Sequence, residues 1–248
     1  MSTLYVIATP IGNLEDVSDR ARRTLAEVDA LACEDTRRTR VLLERHEIPR
    51  PAHVFPCHEH NEERVWGRVL GLLTEGASVG IVSNAGYPGV SDPGYVLISR
   101  AVEAGIRVEV IPGPSAVETA LLTSGLPTSS YTFKGFPPRK GGRLRTFLGQ
   151  DGDLPHTQVF FESPMRIVKF LAAALEVLGD RRAAVCIELT KKFERVHRGY
   201  ISDLIEELTD RRIKGEVTIV VAGNHPKFTR QEERGPEAAE AEVVLAGG

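Results

Sequence analysis

The first half of the chain alternates short apolar runs with helical stretches, and this alternation constrains the fold more than any other feature. The apolar runs are Leu4–Ala8, Ala30–Cys33, Val79–Val82 and Arg107–Ile111. The stretches with helical spacing are Ser18–Val28, Thr36–Arg45, Glu62–Leu73 and Asp92–Ala104. Short apolar strands that alternate with helices are typical of a parallel sheet covered on both faces. We therefore predict an α/β fold, with a mainly parallel N-terminal sheet over residues 1–126.

After Leu126 the pattern changes, because strands follow one another without a helix between them. The runs Ala183–Leu189 and Arg195–Gly199 are separated only by residues 190–194, which favours an antiparallel pair and hence a mixed sheet. We predict a C-terminal α/β domain with a mixed sheet and helices over residues 127–225. Residues 226–248 lack an apolar face, and we expect an acidic, disordered tail there.

Composition limits the class of protein. Of the 248 residues, 42 % are hydrophobic and 26 % are charged, which is ordinary for a soluble globular chain. The apolar runs are far shorter than the ~20 residues of a membrane-spanning helix, and residues 1–25 lack the pattern of a secretory signal. Cys33, Cys57 and Cys186 are odd in number and widely spaced, which argues against disulfides and favours a cytoplasmic location.

The formal net charge of −3 argues at first sight against a nucleic-acid partner. Its distribution removes that objection. Residues 229–248 carry five acidic and two basic residues, so they account for the whole net charge and residues 1–228 are formally neutral. The segment Arg139–Arg145 carries four cations and no acid. This pattern is typical of a solvated loop, and also of a glycine-hinged loop that grips RNA phosphates.

Four unusual segments follow the predicted parallel strands: Thr9–Asn13, Glu34–Arg37, Ser83–Gly94 and Pro112–Ser115. Ligands of open parallel sheets bind outside the carboxyl ends of the strands, so we expect a lined crevice there. Neither the dinucleotide fingerprint nor the phosphate-binding loop is present. The last segment can present backbone N–H groups to an anion, although Ser115 is equally suited to cap the helix that follows.

A cluster of histidines with one cysteine lies between His53 and His60. It lacks the paired ligand spacing of a structural zinc site, so we expect no metal. The better interpretation is a solvent-exposed loop in which His58, Asn61 and Glu62 lie near a substrate or a dimer contact.

Eight short motifs occur in an order and spacing that one known family shares. They are Thr9–Leu14, Glu34–Arg37, His58–Glu62, Ser91–Gly94, Pro112–Pro114, Glu162–Pro164 with Arg166, Glu188–Lys191 and Lys214–Glu216. Together they resemble the RsmI group of the tetrapyrrole-methylase superfamily over about residues 3–223. The resemblance implies an S-adenosyl-L-methionine-dependent 2′-O-ribose methyltransferase that acts on a cytidine of 16S rRNA in the small ribosomal subunit. It also implies two α/β domains with the methyl donor in the cleft between them, and a homodimer.

The motifs and their expected positions give the candidate site residues. The candidates for binding the methyl donor are Pro10, Gly12, Ser83, Asn84, Ala85, Gly86, Asp92, Pro93, Pro112, Gly113 and Ser115. The candidates for binding the substrate are Arg37, His58, Asn61, Arg139, Lys140, Arg143, Arg145 and Arg166. A ribose hydroxyl is a poor nucleophile, and a general base can add ~10²–10⁴-fold to the rate. The candidates for this role are Glu34, Asp35, Glu188 and Lys191, and the sequence does not choose among them.

The chain departs from the family pattern in two places. Where the family usually reads Ser-Asp-Ala-Gly-Thr-Pro, residues 83–88 place an asparagine, Asn84, which can form hydrogen bonds but cannot serve as a carboxylate base. Because the other motifs are intact, we favour the interpretation that this acid is not catalytic in the family. Residues 229–248 are short and acidic where many members carry a helical extension.

Two alternative functions remain open at this point. One is a precorrin-type tetrapyrrole C-methyltransferase, which would share the fold and the methyl donor. The other is a degenerate, non-catalytic module that binds the methyl donor or RNA, an interpretation that rests on Asn84 and the missing extension.

Overall fold

The computed structural model describes residues 2–231, which form two compact units. The first unit contains the chain up to Thr123 together with residues 186–196 and 215–218. The second contains residues 124–185, 197–214 and the chain from Ile219 onward. Residues 186–196 and 215–218, which we expected in the C-terminal domain, therefore cluster with the N-terminal part of the chain.

The first unit is built on a five-stranded sheet. Its elements are β1 (Thr3–Ile7), α1 (Asp19–Glu27), β2 (Ala30–Cys33), α2 (Thr36–Arg45), β3 (His53–Pro56), α3 (Glu62–Thr74), β4 (Val79–Val82), α4 (Tyr95–Glu103), β5 (Arg107–Ile111) and α5 (Ala116–Ser124). The strand order is β3-β2-β4-β1-β5, and neighbouring strands pair in parallel. Strands β2 and β4 are buried throughout, as expected for the centre of a parallel sheet. The predicted parallel N-terminal sheet is confirmed.

The strand register brings the carboxyl ends of four strands to one edge of this sheet. Cys33 lies opposite Val82, and Ile7 lies opposite Ile111. The segments that follow β1, β2, β4 and β5 therefore leave the sheet at the same edge. Two main-chain hydrogen bonds of 2.9 Å between Thr9 and Gly86 tie two of these segments together.

The structure differs from the predicted elements at two places in this unit. Residues 53–56, which we assigned to a loop, form edge strand β3, whose backbone pairs in register with β2. Helix α4 begins at Tyr95 rather than Asp92, because Pro93 is followed by Gly94 with a φ of 133°, which a helix does not allow.

The second sheet also has five strands, in the order β6-β7-β10-β8-β9. Its elements are β6 (Tyr131–Phe133), α6 (Gly141–Gly149), β7 (Thr157–Glu162), α7 (Ile167–Leu178), β8 (Arg182–Ile187), β9 (Arg195–Tyr200), α8 (Ile201–Leu208) and β10 (Val217–Val221). Phe160 and Phe170 are fully buried in its core, with ring centroids 5.0 Å apart. The predicted mixed C-terminal sheet is confirmed.

Helix α6 replaces the basic loop that we expected around Arg139–Arg145. Leu144 and Leu148 lie one helical turn apart and are both buried, so the segment has an apolar face after all. The two glycines at its start and the dense basic residues concealed this periodicity in the sequence.

The expected tail requires a second correction. Residues 232–248 lie outside the described part of the chain, but residues 226–231 have defined contacts. Thr229 forms a β-bridge with Arg181, and the Arg230 guanidinium pairs with Asp180 at 3.0 Å and with Asp203. Aromatic contact adds to these ion pairs, because the same guanidinium lies 4.4 Å from the ring centroid of Tyr200. The prediction of a disordered tail is therefore wrong for residues 226–231.

Candidate functional site

A cavity of about 260 Å³ lies at the carboxyl edge of the first sheet. It is lined by Thr9, Pro10, Ile11, Gly12, Leu14, Arg38, Thr39, Val41, Leu42, Ser83, Asn84, Ala85, Lys191 and Glu216, all within the first unit. The cavity thus brings together one candidate base, Lys191, and five donor-binding candidates: Pro10, Gly12, Ser83, Asn84 and Ala85. Arg38, Thr39 and Glu216 also line it and were not among the candidates.

Hydrogen bonds within the first unit brace the walls of this cavity. The Thr9 hydroxyl donates to the carbonyl of Ser83 at 3.2 Å, and the Ser83 hydroxyl donates to the carbonyl of Ala85 at 3.2 Å. Gly86 adopts a φ of 75°, which glycine allows without strain and which turns the chain back toward Thr9. The backbone around residues 83–86 is therefore preorganised.

Asn84 has an unsatisfied polar atom in this wall. Its Oδ1 is buried and accepts no hydrogen bond from any residue in the range 2–231. A buried acceptor without a partner costs free energy, so the site is suited to a ligand that brings an N–H or O–H donor. The backbone N–H of Asn84 donates to Glu34 Oε2 at 2.9 Å, which fixes the loop to the end of β2.

A second cavity, of about 520 Å³, lies at the same edge of the sheet. Its lining residues are Glu34, His58, Glu59, His60, Glu62, Ser91, Asp92 and Pro93. Burial, together with the negative charges of Glu34 and Glu216, raises the pKa of Asp92 to about 6 against the lowering effect of the Ser83 hydroxyl. A cavity lined by four carboxylates favours a ligand that carries positive charge.

Lys191 lies between two carboxylates in the first unit. Its Nζ donates to Glu188 Oε1 at 2.7 Å and to Glu216 Oε2 at 2.9 Å. Partial burial lowers the pKa of Lys191, but these two hydrogen bonds outweigh burial and leave that pKa above its usual value. Burial also raises the pKa of Glu188, yet the bond to Lys191 leaves that pKa lowered. Lys191 is therefore held protonated in this geometry and does not accept a proton.

Gly215 explains how Glu216 reaches this cluster. A Cβ added to Gly215 would lie 2.2 Å from Glu188 Oε1, and the residue has a φ of 93°. Only glycine fits here, because a side chain would displace the carboxylate that accepts from the Glu216 N–H at 2.8 Å. The Lys-Gly-Glu motif was visible in the sequence, but the role of Glu216 was not predicted.

Asp35 is used locally as the N-terminal cap of α2. Its Oδ1 accepts from the N–H of Arg37 at 2.9 Å, and its Oδ2 pairs with the Arg37 guanidinium at 2.8 Å. The hydrogen bonds from the Arg37 side chain and backbone hold the pKa of Asp35 far below its usual range. A carboxylate of such low basicity is a poor proton acceptor, and the pair leaves Arg37 exposed but neutralised.

Asn61 does not have the free side chain that we expected for substrate binding. It is 7 % exposed, and its Oδ1 accepts from the N–H of His58 at 2.8 Å. Its Nδ2 donates to the carbonyl of Pro56 at 3.2 Å. Asn61 is thus a buried brace for the loop, because burial forces it to satisfy its amide locally, whereas His58 is exposed at the second cavity.

The segment after β5 lines neither of these two cavities. The N–H of Gly113 donates to the hydroxyl of Tyr87 at 3.0 Å, and the Ser115 hydroxyl contacts the Glu118 carboxylate. Pro112 is exposed. Tyr87 was not predicted, although its place in the Ser83–Pro88 segment, where the family has threonine, was a usable signal.

The remaining substrate-binding candidates lie in the second unit and differ in their freedom to bind. Arg139, Lys140 and Arg143 are exposed. Arg145 is also exposed, but its Nε contacts both carboxylate oxygens of Glu176 at 2.8 Å, so its charge is already balanced. Arg166 is half-buried and donates to the carbonyl of Pro138 at 2.9 Å. Arg145 and Arg166 therefore already have partners in the protein, and substrate binding by these five cations stays a prediction.

Residues 2–231 contain neither a candidate metal cluster nor a candidate membrane-spanning helix. In this range no group of three or more histidine, cysteine, aspartate or glutamate side chains is arranged to hold a metal ion. Over the same residues, no helix is both long enough and apolar enough to cross a membrane.

Comparison with known proteins defines the class of this protein. The family model described as Tetrapyrrole (Corrin/Porphyrin) Methylases matches residues 3–205, so the chain belongs to that family. The chain is 44 % identical over 230 residues to Ribosomal RNA small subunit methyltransferase I of Halalkalibacterium halodurans, covering 93 % of this chain and 79 % of that protein. It is 42 % identical over 223 residues to the protein of the same name from Thermotoga maritima, covering 90 % and 99 %.

Solved structures of lower identity share the fold. A uroporphyrin-III-C-methyltransferase from Thermus thermophilus matches with a TM-score of 0.62 and 21 % identity, covering 90 % of this chain and 94 % of that one. A diphthine synthase matches with a TM-score of 0.67 and 15 % identity, covering 90 % of both chains. At this identity the comparison supports the architecture alone.

Proposed function

We propose that this protein transfers a methyl group from S-adenosyl-L-methionine to the ribose 2′-oxygen of a cytidine in 16S rRNA of the small ribosomal subunit. The observation that carries the proposal is the 42–44 % identity, over nine-tenths of the chain, to proteins named Ribosomal RNA small subunit methyltransferase I. The two cavities at the carboxyl edge of the first sheet supply a place for the chemistry.

The residues present fit the methyl donor. S-adenosyl-L-methionine, when bound, supplies an electrophilic methyl group on a positively charged sulfur. The unpaired Oδ1 of Asn84 offers an acceptor to its amino groups, and the carboxylates of Glu34 and Asp92 favour its positive charge. Pro10, Gly12 and the backbone of residues 83–85 form the wall of the adjoining cavity. An asparagine in place of the usual aspartate is compatible with binding.

The chain's own residues suggest which group accepts the ribose proton. Of the four candidate bases, Asp35 caps a helix, and Glu188 and Lys191 form an ion pair with each other. Glu34 lines the second cavity and receives one hydrogen bond from a backbone N–H, without an ion pair to any described residue. We therefore assign proton acceptance to Glu34, and positioning roles to the other three residues.

The finer features of the proposal rest on family resemblance. They are a cytoplasmic location, action on the assembled small subunit and a homodimer. Sedimentation equilibrium of the purified protein tests the last of these, and a mass equal to one chain at micromolar concentration would contradict it.

The proposed activity is tested by incubating the protein with methyl-labelled S-adenosyl-L-methionine and small ribosomal subunits that lack the modification. We expect label in the RNA, and none with subunits that already carry the methyl group. A parallel reaction contains a tetrapyrrole precursor instead. Label in the tetrapyrrole would support the C-methyltransferase alternative, and label in neither acceptor would support a non-catalytic module. That alternative is not favoured, because the chain is 42–44 % identical to the ribosomal RNA methyltransferases and 21 % identical to the uroporphyrin-III-C-methyltransferase.

A further inference from the structure

An exposed aromatic ring stands in the most basic stretch of the second unit. Phe136 lies between β6 and α6 and is 63 % exposed. From Lys134 to Gln150 the sequence contains no acidic residue. We call residues 134–140 the Phe136 segment.

The Phe136 segment is fixed to the sheet rather than free. The N–H of Phe161 in β7 donates to the carbonyl of Gly135 at 3.0 Å, and Gly135 adopts a φ of 62° to permit the turn. The Phe136 ring is backed by Phe161, with centroids 5.5 Å apart, and Phe161 contacts Phe133 at 4.9 Å. The ring is therefore supported by an aromatic stack and still largely accessible to solvent.

Arg166, which directly precedes α7, also holds the Phe136 segment in place. Its guanidinium donates to the carbonyl of Pro138 at 2.9 Å and to that of Pro137 at 3.4 Å. It also pairs at 3.3 Å with Glu162, whose side chain is fully buried. Burial raises the pKa of Glu162, and the charges of Arg166 and Arg139 partly offset this effect. The guanidinium of Arg166 is therefore already paired with Glu162 and hydrogen-bonded to the backbone of the Phe136 segment.

The cations beside Phe136 are exposed, so they can meet an anionic partner. Arg139, Lys140 and Arg143 are exposed, and none of them forms an ion pair with another residue between 2 and 231. An exposed aromatic ring among unpaired cations is the arrangement that binds single-stranded RNA, in which bases stack on rings and phosphates contact arginine and lysine.

We infer that the Phe136 segment binds an unpaired nucleotide of the RNA substrate. The Phe136 ring stacks on the base, Arg139, Lys140 and Arg143 neutralise the flanking phosphates, and Arg166 is a positioning residue that sets the segment in place. This inference rests on the proposed function and deepens it by naming a contact to the substrate. A second copy of the chain fits the surface poorly, because a symmetric contact would bring the same cations face to face.

The test compares the affinity of unmodified 16S rRNA for the wild-type protein, Phe136→Ala and Phe136→Trp, measured by filter binding. Val102→Ala is the matched control, since Val102 on α4 is also 63 % exposed. Stacking of one base predicts about tenfold weaker binding for Phe136→Ala, and near wild-type binding for Phe136→Trp and the control. The dissociation constant for S-adenosyl-L-methionine should be equal in all four proteins.

Arg166 is tested by kinetics, with thermal unfolding as a check on folding. Arg166→Ala should raise KM for the RNA several-fold with little change in kcat at saturating RNA, and Arg166→Lys should restore part of the loss. Equal RNA affinity for Phe136→Ala and the wild type would overturn the inference, as would loss of a dimer in that variant at unchanged RNA affinity. Absence of methylation of unmodified small ribosomal subunits by a wild-type protein that still binds the RNA would contradict the proposed function instead.

Discussion

At the carboxyl edge of the first sheet, the role of a residue depends on its hydrogen-bond partners, which the residue type alone does not reveal. Glu34, Asp35, Glu188 and Lys191 were equivalent candidates for the general base, because each is a titratable residue in a motif. Hydrogen-bond partners separate them. Those partners depend on the register of strands distant in sequence, as in the bond between Asn84 and Glu34, fifty residues apart.

The assignment of the base is tested by two amide substitutions in adjacent residues. Glu34→Gln keeps an acceptor for the Asn84 N–H but cannot take a proton, so we expect kcat to fall by about 10²–10⁴-fold. The dissociation constant of S-adenosyl-L-methionine should rise by a much smaller factor, because the loop remains tied and Asp92 still favours the positive charge of the donor.

Asp35→Asn is the matched control, because asparagine caps a helix nearly as well as aspartate. We expect it to retain most of kcat. A large loss of kcat in Asp35→Asn, with Glu34→Gln active, would reverse the two roles.

Asp92 predicts a pH-dependent contribution to stability. Its pKa rises from 3.8 to about 6 on folding, so ionisation is less favourable in the folded protein and this cost develops as pH rises from about 4 to about 6. Asp92→Asn should therefore have a higher Tm than the wild type at pH 7.5, and the difference should vanish near pH 4. Differential scanning calorimetry across this range measures it. A Tm difference that stays constant from pH 4 to pH 8 would show that the carboxyl is not perturbed.

At the scale of elements, a helix or strand was predicted correctly where its local sequence pattern is strong and was missed where that pattern is weak. Strands β2, β4 and β5 and helix α2 have the predicted bounds, because each is a short apolar run or an amphipathic stretch with a clear cap. Strand β3 was missed because it is four residues long with exposed residues at both ends, and its pairing with β2 is set by tertiary contact. Helix α6 was missed because the two glycines at its start and its two arginines obscured the spacing of Leu144 and Leu148.

The turn before β10 gives a prediction at the scale of an element. Gly215→Ala places a Cβ against the Glu188 carboxylate at a φ of 93°, so we expect a free energy of unfolding lower by at least ~1 kcal/mol, and a weaker Glu188–Lys191–Glu216 cluster. Urea denaturation measures the change.

Gly67→Ala is the control for that substitution, because Gly67 lies in α3 with no atom within 4 Å of an added Cβ. Alanine there should stabilise the helix by about 0.5–1 kcal/mol. If Gly215→Ala were as stable as Gly67→Ala, the close approach to Glu188 would be wrong.

For the whole molecule, net charge was a misleading guide to the partner. The formal charge of −3 arises from residues 229–248. The cations proposed to contact RNA, Arg139, Lys140 and Arg143, all lie in the second unit. The structure adds what the sequence could not, namely which cations are already paired: Arg145 with Glu176 and Arg166 with Glu162. An ion pair across 31 residues is set by the packing of α6 against α7 and has no signature in the sequence.

The salt dependence of RNA binding tests whether Arg139, Lys140 and Arg143 contact phosphates while Arg145 stays paired with Glu176. Each phosphate contact to single-stranded RNA contributes about 0.7 to the slope of log Kd against log salt concentration. Replacing Arg139, Lys140 and Arg143 together by alanine should lower that slope by about 2, whereas Arg145→Ala should leave it nearly unchanged. Equal effects of single substitutions at Arg143 and Arg145 would mean that the Glu176 pair does not persist in solution.

The central claim is that the methyl group goes to a ribose oxygen of 16S rRNA, and the most direct measurement locates it. Unmodified small subunits are methylated by the wild-type protein, and the RNA is digested to nucleosides and analysed by mass spectrometry. We predict a single new product, 2′-O-methylcytidine, at no more than one per subunit, and none with Glu34→Gln over the same time. A methyl group on a base, or RNA unchanged at full occupancy of the protein by S-adenosyl-L-methionine, would contradict the account.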